Sequence, residues 1–350
     1  MTTFFGSFDK EGNIIQLTED NKNDFSWRNG PHPCIKAVGV GDWGQATLKN
    51  VISTRLLGVD YLFCGPNTGN IRAKFNGLIS EEKQADNATP PDTGYAGVYV
   101  RHKGAPEWPP EELNISVVEE EEKSLISAFA LADIVFIVAD AKVCLDSLLT
   151  VARAARKANT MVVGIIPRNI AFVEGYETGV VKNDKAQTLL SIIHTLIFIP
   201  SQGNGISEPI FGKTDTDNDP AARAMRCITG AIVPPFWWDR MEPYALRKIL
   251  IPANGMAHVG EPLLGYGNGE KRLESALHMA ISIPPGDKLL EKAHDLMVSI
   301  IITSKAKLFT FENLEELRSA VKLKFSDTFF SIESDDRYRH ECYFTILALF

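Results

Sequence analysis

No cluster of basic residues, no metal-type cysteine spacing and no apolar run of bilayer length occurs in the sequence, and each absence removes a class of function. With 36 Lys and Arg against 44 Asp and Glu, the formal charge of −8 argues against the basic face that captures nucleic-acid phosphates. The five cysteines (Cys34, Cys64, Cys144, Cys227, Cys342) are odd in number and scattered. Reduced thiols in a cytoplasmic protein are therefore expected, rather than a disulfide framework or a zinc site. The histidines show no metal spacing either, His340-Glu341-Cys342 included. A basic leader followed by an apolar stretch is missing at the amino terminus, so neither export nor direct membrane insertion is expected.

Glycine is missing at one decisive place. Residues 134–139 form an unbroken apolar run between Asp133 and Asp140, and Leu145, Leu148, Leu149 and Ala152 then recur at helical spacing. This predicts a buried parallel-type strand, a turn and a helix, which is the layout of a phosphate-binding unit. Yet the turn, residues 140–147, contains two carboxylates and no glycine. It offers neither close backbone approach nor a favourable field for a phosphate.

What is present is an ordinary globular composition, 45% hydrophobic and 23% charged over 350 residues, enough for two domains with separate cores. Residues 1–33 read as a polar, loop-like extension with one short strand at 13–17. Strands are predicted at 35–40, 61–64, 134–139, 161–166 and 195–199, with helices at 46–57, 124–131, from 145, and at 184–194. This alternation means a parallel sheet covered on both faces. The acids Glu119 to Glu122 are read as the start of the second helix, where they complement its dipole. Between residues 81 and 110 an extended Pro- and Gly-rich region surrounds one strand at 97–101. Asp219-Pro220 opens a helix running to Ile232, with an acidic cap and Pro in the first turn. Beyond it, helices at 244–250, 270–281 and 314–322 and strands at 255–266, 296–304, 325–332 and 340–349 describe an α+β domain with a mixed sheet. The boundaries drawn are 34–218 for the α/β domain, 219–240 for the connecting helix and following loop, and 241–350 for the α+β domain.

The order of these elements and several local stretches resemble the FtsZ/tubulin superfamily, FtsZ more than tubulin, as a divergent prokaryotic FtsZ-like sequence. The stretches are IKAVGVGDWGQATLKNVI from Ile35, Asn67-Thr68, ADIVFIVA from Ala132, VVGIIPRNIAFVEG from Val162, HTLIFIP from His194, and GMAHVGEPLLGYGNGEKRLESALHMAISIP from Gly255. They cover the chain from about residue 34 to 350. The resemblance implies a Rossmann-like, parallel-sheet amino-terminal domain of the GTPase type, a central connecting helix and an α+β carboxy-terminal domain with a mixed sheet. It also implies subunits that polymerise head to tail, with GTP cleaved when acids of the next subunit complete the site.

Matched residue by residue, the implied nucleotide cleft is partly kept at Gly39, Gly41, Gly44, Gln45, Asn67, Thr68 and Glu174. Asp42 and Trp43 replace glycines, Gly69 stands where an Asp is expected, and one residue is inserted before Glu174. The superfamily signature GGGTG[ST]G is absent: the sequence reads Asp140-Ala141-Lys142-Val143-Cys144-Leu145-Asp146-Ser147. Of the acids supplied to a neighbouring subunit, only Asp239 and Glu242 stand as vestigial candidates, and the family's spacing is lost. These departures predict a protein with no catalytic residues, no metal and no nucleotide cofactor. Its expected role is structural or regulatory, cytoskeletal or in membrane remodelling, through contacts with itself, another FtsZ-like subunit or a different protein partner. The alternative is an active, diverged GTPase that polymerises on binding GTP. Because the sequence ends on its last predicted strand, any membrane link is expected to run through another protein. Pro234-Pro235-Phe236-Trp237-Trp238 reads either as inter-domain packing or as a subunit contact. Gly265-Tyr266-Gly267-Asn268-Gly269 opens a helix and is read as a structural turn rather than a phosphate site.

Overall fold

The computed structural model describes residues 7–8, 14–15, 33–54, 56, 58–66, 69–71, 114–168, 183–199, 219–232, 243–251, 257–269, 271–282, 290–302, 328–334 and 340–350. The chain divides into two compact units. One comprises Trp27–Pro209 with Leu250–His258, and the other Met1–Ser26, Ile210–Ile249 and Val259–Phe350.

The first unit is built on β3 (Ile35–Val40), β4 (Val59–Gly65), β5 (Asn114–Glu119), β6 (Ile134–Ala139), β7 (Met161–Pro167) and β8 (Thr195–Ile199), in the order β5-β4-β3-β6-β7-β8 and parallel throughout. Every residue of β6 is fully buried. That is what a central parallel strand requires, because helices cover both faces, and each large apolar side chain so buried contributes roughly 1.5–3 kcal/mol. The helices are α1 (Gly41–Ser53), α2 (Glu122–Phe129), α3 (Leu145–Lys157) and α4 (Asp184–Ile192). α4 begins at Asn183, whose side chain accepts from the N–H groups of Lys185 and Ala186 at 3.0 and 3.1 Å.

β3, β6 and β8 lie where the apolar runs place them, and the remaining differences have physical causes. The expected helix at 46–57 starts five residues earlier, at Gly41, so the glycine-bearing segment Gly41–Gln45 is the first helical turn and not a loop. β5 is absent from the sequence reading. It is a short edge strand whose last residue, Glu119, belongs to the acidic run. Only Glu122 of that run lies in the first turn of α2, and its carboxylate pairs with Lys157 of α3. The expected strand at 97–101 and helix at 314–322 lie outside the described residues.

The second unit carries β1 (Ser7–Phe8) paired antiparallel with β2 (Ile14–Ile15), and a mixed sheet in the order β11-β10-β12-β9. Its strands are β9 (His258–Gly267), β10 (Asp295–Ile302), β11 (Thr328–Ser334) and β12 (Cys342–Leu349). The helices are α5 (Pro220–Ile232), α6 (Pro243–Leu250) and α7 (Arg272–Ser282). α5 is capped by Asp219, whose carboxylate accepts from Ala221 and Ala222 N–H at 2.9 and 3.0 Å, and it packs on β10, β11 and β12. Arg223 of α5 is fully buried. Its Nε donates to Thr345 Oγ1 at 2.8 Å, and its guanidinium lies 4.9 Å from the centre of the Tyr343 ring. α7 closes the core over Phe344, Ile346, Val298 and Ile300.

Candidate functional site

In the parallel unit the strand order reverses at β3, with β4 on one side and β6 on the other. Crevices at such a switch point, outside the carboxyl ends of the strands, are where open α/β sheets take ligands. The segments that line it are Gly41–Gln45 after β3 and residues 140–144 after β6.

Gly41 turns β3 into α1 with φ +68°, a conformation glycine takes without strain. A Cβ on Gly44 would lie 2.1 Å from the Val138 carbonyl oxygen, so this glycine lets α1 rest directly on β6. Gln45 is buried and its Nε2 donates to the Cys64 carbonyl at 3.1 Å, tying α1 to the carboxyl end of β4. Asp42 is exposed and Trp43 half-buried in the first turn of α1.

After β6 the chain closes on Asp140. Its carboxylate accepts from Lys142 N–H at 2.8 Å, while its carbonyl accepts from Val143 N–H at 3.1 Å and Cys144 N–H at 2.9 Å. Three consecutive backbone donors ahead of α3 are thus turned onto one aspartate. Cys144 stands at the N-cap position of α3 without a side-chain cap bond, and its thiol donates to the Asp140 carbonyl at 3.1 Å. Burial pushes this thiol above its ordinary pKa, and the hydrogen bond to Asp140 pulls partly back. The two segments touch, since a Cβ on Gly41 would be 3.1 Å from Cys144 Sγ. At the tip, Val143 is 80% exposed, unusual for a side chain with no polar atom. In the next turn, Asp146 pairs with Lys185 of α4 at 3.0 Å.

Of the residues singled out in the sequence, Gly39, Gly41, Gly44 and Gln45 are brought together at the carboxyl end of β3. Asn67, Thr68, Glu174, Asp239, Glu242 and the aromatic run 236–238 lie outside the described residues. The role of Asp140 as acceptor for its own turn went unread, although an Asp followed two residues later by a free N–H is a known turn signal. Among the described residues no group of His, Cys, Asp and Glu could hold a metal ion. No described helix is long and apolar enough to cross a membrane.

No protein-family model matches the chain, and no curated protein matches it in sequence. Solved structures do. An FtsZ variant from M. jannaschii is 14% identical with a TM-score of 0.59, covering 90% of this chain and 90% of its own. An empty FtsZ dimer from M. jannaschii is 14% identical with a TM-score of 0.60, over 95% of this chain and 92% of that one. A CetZ from Methanosaeta thermophila is 11% identical with a TM-score of 0.50, over 90% and 86%. With the switch-point topology and the mixed-sheet unit, these matches establish that the chain has the FtsZ/tubulin-like fold.

Proposed function

We propose that this protein is a non-hydrolysing assembly or partner-binding protein on an FtsZ/tubulin-like fold, with a degenerate nucleotide site and a structural or regulatory role. The observation that carries this reading is the turn at Asp140. Phosphate sites in strand–turn–helix units work by presenting backbone N–H groups and a positive helix end to the anion. Here those N–H groups are spent on Asp140, and a triphosphate would have to be desolvated against that carboxylate. Gly44, kept from the resemblance, has a packing reason of its own in the approach of α1 to β6, which needs no nucleotide.

Self-association is the favoured mode of action, since one of the similar structures is an FtsZ dimer. All five cysteines are free, which supports a reducing, cytoplasmic setting. Titration calorimetry with GTP is expected to show no binding at micromolar concentrations. Light scattering is expected to rise with protein concentration equally with and without nucleotide. Micromolar GTP binding, with phosphate release abolished by the Asp239→Ala/Glu242→Ala double variant, would establish the diverged-GTPase reading instead.

A further inference from the structure

The glycine-rich turn between β9 and α7 is held to the start of β12 by a small polar network. Gly269 N–H donates to Glu341 Oε2 at 3.1 Å, and Arg272 Nη1 lies 3.6 Å from the same oxygen while donating to Gly269 O at 2.9 Å. Glu341 N–H donates to Asn268 Oδ1 at 3.0 Å, and that bond fixes which way the Asn268 amide faces. Its Nδ2 is thereby turned to His340 Nδ1, 2.9 Å away. An amide nitrogen is a donor only, so His340 Nδ1 must be the acceptor and the ring is neutral with its proton on Nε2. The ring stacks on Tyr266 with centroids 4.0 Å apart, and the His340 backbone N–H donates to Tyr343 Oη at 3.1 Å.

We infer that the Asn268–His340 pair is a pH-sensitive latch, closing the β9–α7 turn onto the start of β12 while the imidazole is neutral and releasing it on acidification. A proton taken from solvent goes to Nδ1, the basic nitrogen of the neutral ring, and displaces the Asn268 N–H that Nδ1 accepts. Relief requires the amide to flip, and the flip gives up the Glu341 N–H bond. Among the described residues, the charged and titratable groups around the ring include Tyr266 of β9, Tyr343 and Glu341 at β12, Arg272 of α7, and Arg223 of α5 against Tyr343. By register, Glu333 of β11 stands in the same row as Ile301, Tyr343 and Tyr266. The Tyr266 face favours an imidazolium and the two arginines oppose it, while Glu341 is engaged by Arg272 and Gly269. The donor–donor clash at hydrogen-bond distance decides the sign. This device is independent of whether the protein binds nucleotide.

Amide hydrogen exchange of Gly269 and Glu341 in the full chain, corrected for intrinsic rates, tests it. Protection of both amides is expected to fall about tenfold from pH 7.5 to pH 5.5. Asn268→Asp presents an acceptor to His340 and is expected to reverse the trend, with greater protection at pH 5.5, while His340→Gln removes it. A purely structural contact would give the same pH response in the Asn268→Asp variant as in the wild type, and that result overturns the latch. So does a ring ¹⁵N spectrum showing Nδ1 protonated at pH 7.5.

Discussion

The turn after β6 and the turn after β9 each deliver a strand into a helix, and in each a carboxylate takes a backbone N–H that an anion could otherwise occupy. After β6 the carboxylate is Asp140, two residues from the N–H it accepts. After β9 it is Glu341, 72 residues from Gly269. The first arrangement forms with the turn itself. The second exists only when β12 is in place, because nothing in the local sequence supplies the acceptor. Both turns lie beside glycines that admit a backbone from another element: Gly44 faces the Val138 carbonyl, and Gly265 and Gly267 face the carbonyls of Ala276 and Arg272 in α7.

The largest expected effect tests this shared close approach. A Cβ on Gly265 would lie 1.8 Å from the Ala276 oxygen and one on Gly44 2.1 Å from the Val138 oxygen. Backbone cannot give way as a flexible side chain can, so Gly265→Ala and Gly44→Ala are each expected to cost about 3 kcal/mol in urea unfolding. Gly269→Ala has open space but φ +74°, and about 1 kcal/mol is expected. Equal losses at all three positions would break the comparison.

A smaller effect separates local from remote acceptors. Asp140→Ala and Glu341→Ala are each expected to cost about 1 kcal/mol, the scale of one lost hydrogen bond. They should differ in reach. Exchange after Asp140→Ala is expected to quicken at Lys142 alone, whereas after Glu341→Ala it quickens at Gly269 and across the first residues of β12. A local footprint for both would show that β12 docks without the turn.

The smallest effect is alkaline. Burial pushes the Cys342 thiol, at the start of β12, up to about 12 from its ordinary 9.0, whereas Cys144, in the local turn, is only partly buried. A thiol whose pKa is raised in the folded state keeps its contribution well below pH 9 and loses it progressively as pH climbs through 9 toward 12. Cys342→Ser is therefore expected to shrink the loss of stability between pH 7 and pH 9 by roughly 0.4 kcal/mol, and Cys144→Ser by less, in urea midpoints at the two pH values. Equal changes would mean that the Cys144 turn is as closed as the β12 end.

Much of the fold is legible in the sequence, for reasons that can be named. β3, β6 and β8 are continuous apolar runs with polar bounds, and Asp219-Pro220 marks the start of α5 through its cap chemistry. The order of short motifs pointed to the FtsZ/tubulin-like fold that the solved structures bear out. The site was legible only in part. A glycine in the sequence looks the same whether it admits a phosphate or a neighbouring carbonyl, so the packing role of Gly44 could not be told from a nucleotide role. The Gln45 bond to Cys64 and the Glu341 bond to Gly269 join residues that nothing local pairs. β5 escaped notice because three apolar residues before a run of glutamates give too short a pattern to outweigh it.

One arrangement in the mixed sheet bears on how the chain is made. β12 lies between β9 and β10 and hydrogen-bonds to both. On the ribosome, β9 and β10 therefore emerge before the strand that joins them, and the apolar faces of Leu263, Val298 and Ile300 wait for it. Most of the parallel unit, Trp27–Pro209, is one continuous stretch that can settle during synthesis. The mixed sheet has its full set of strands only once β12 has been made. A ribosome stalled before Cys342 would hold one finished unit and one open sheet, a state in which chaperones and proteases find their substrate.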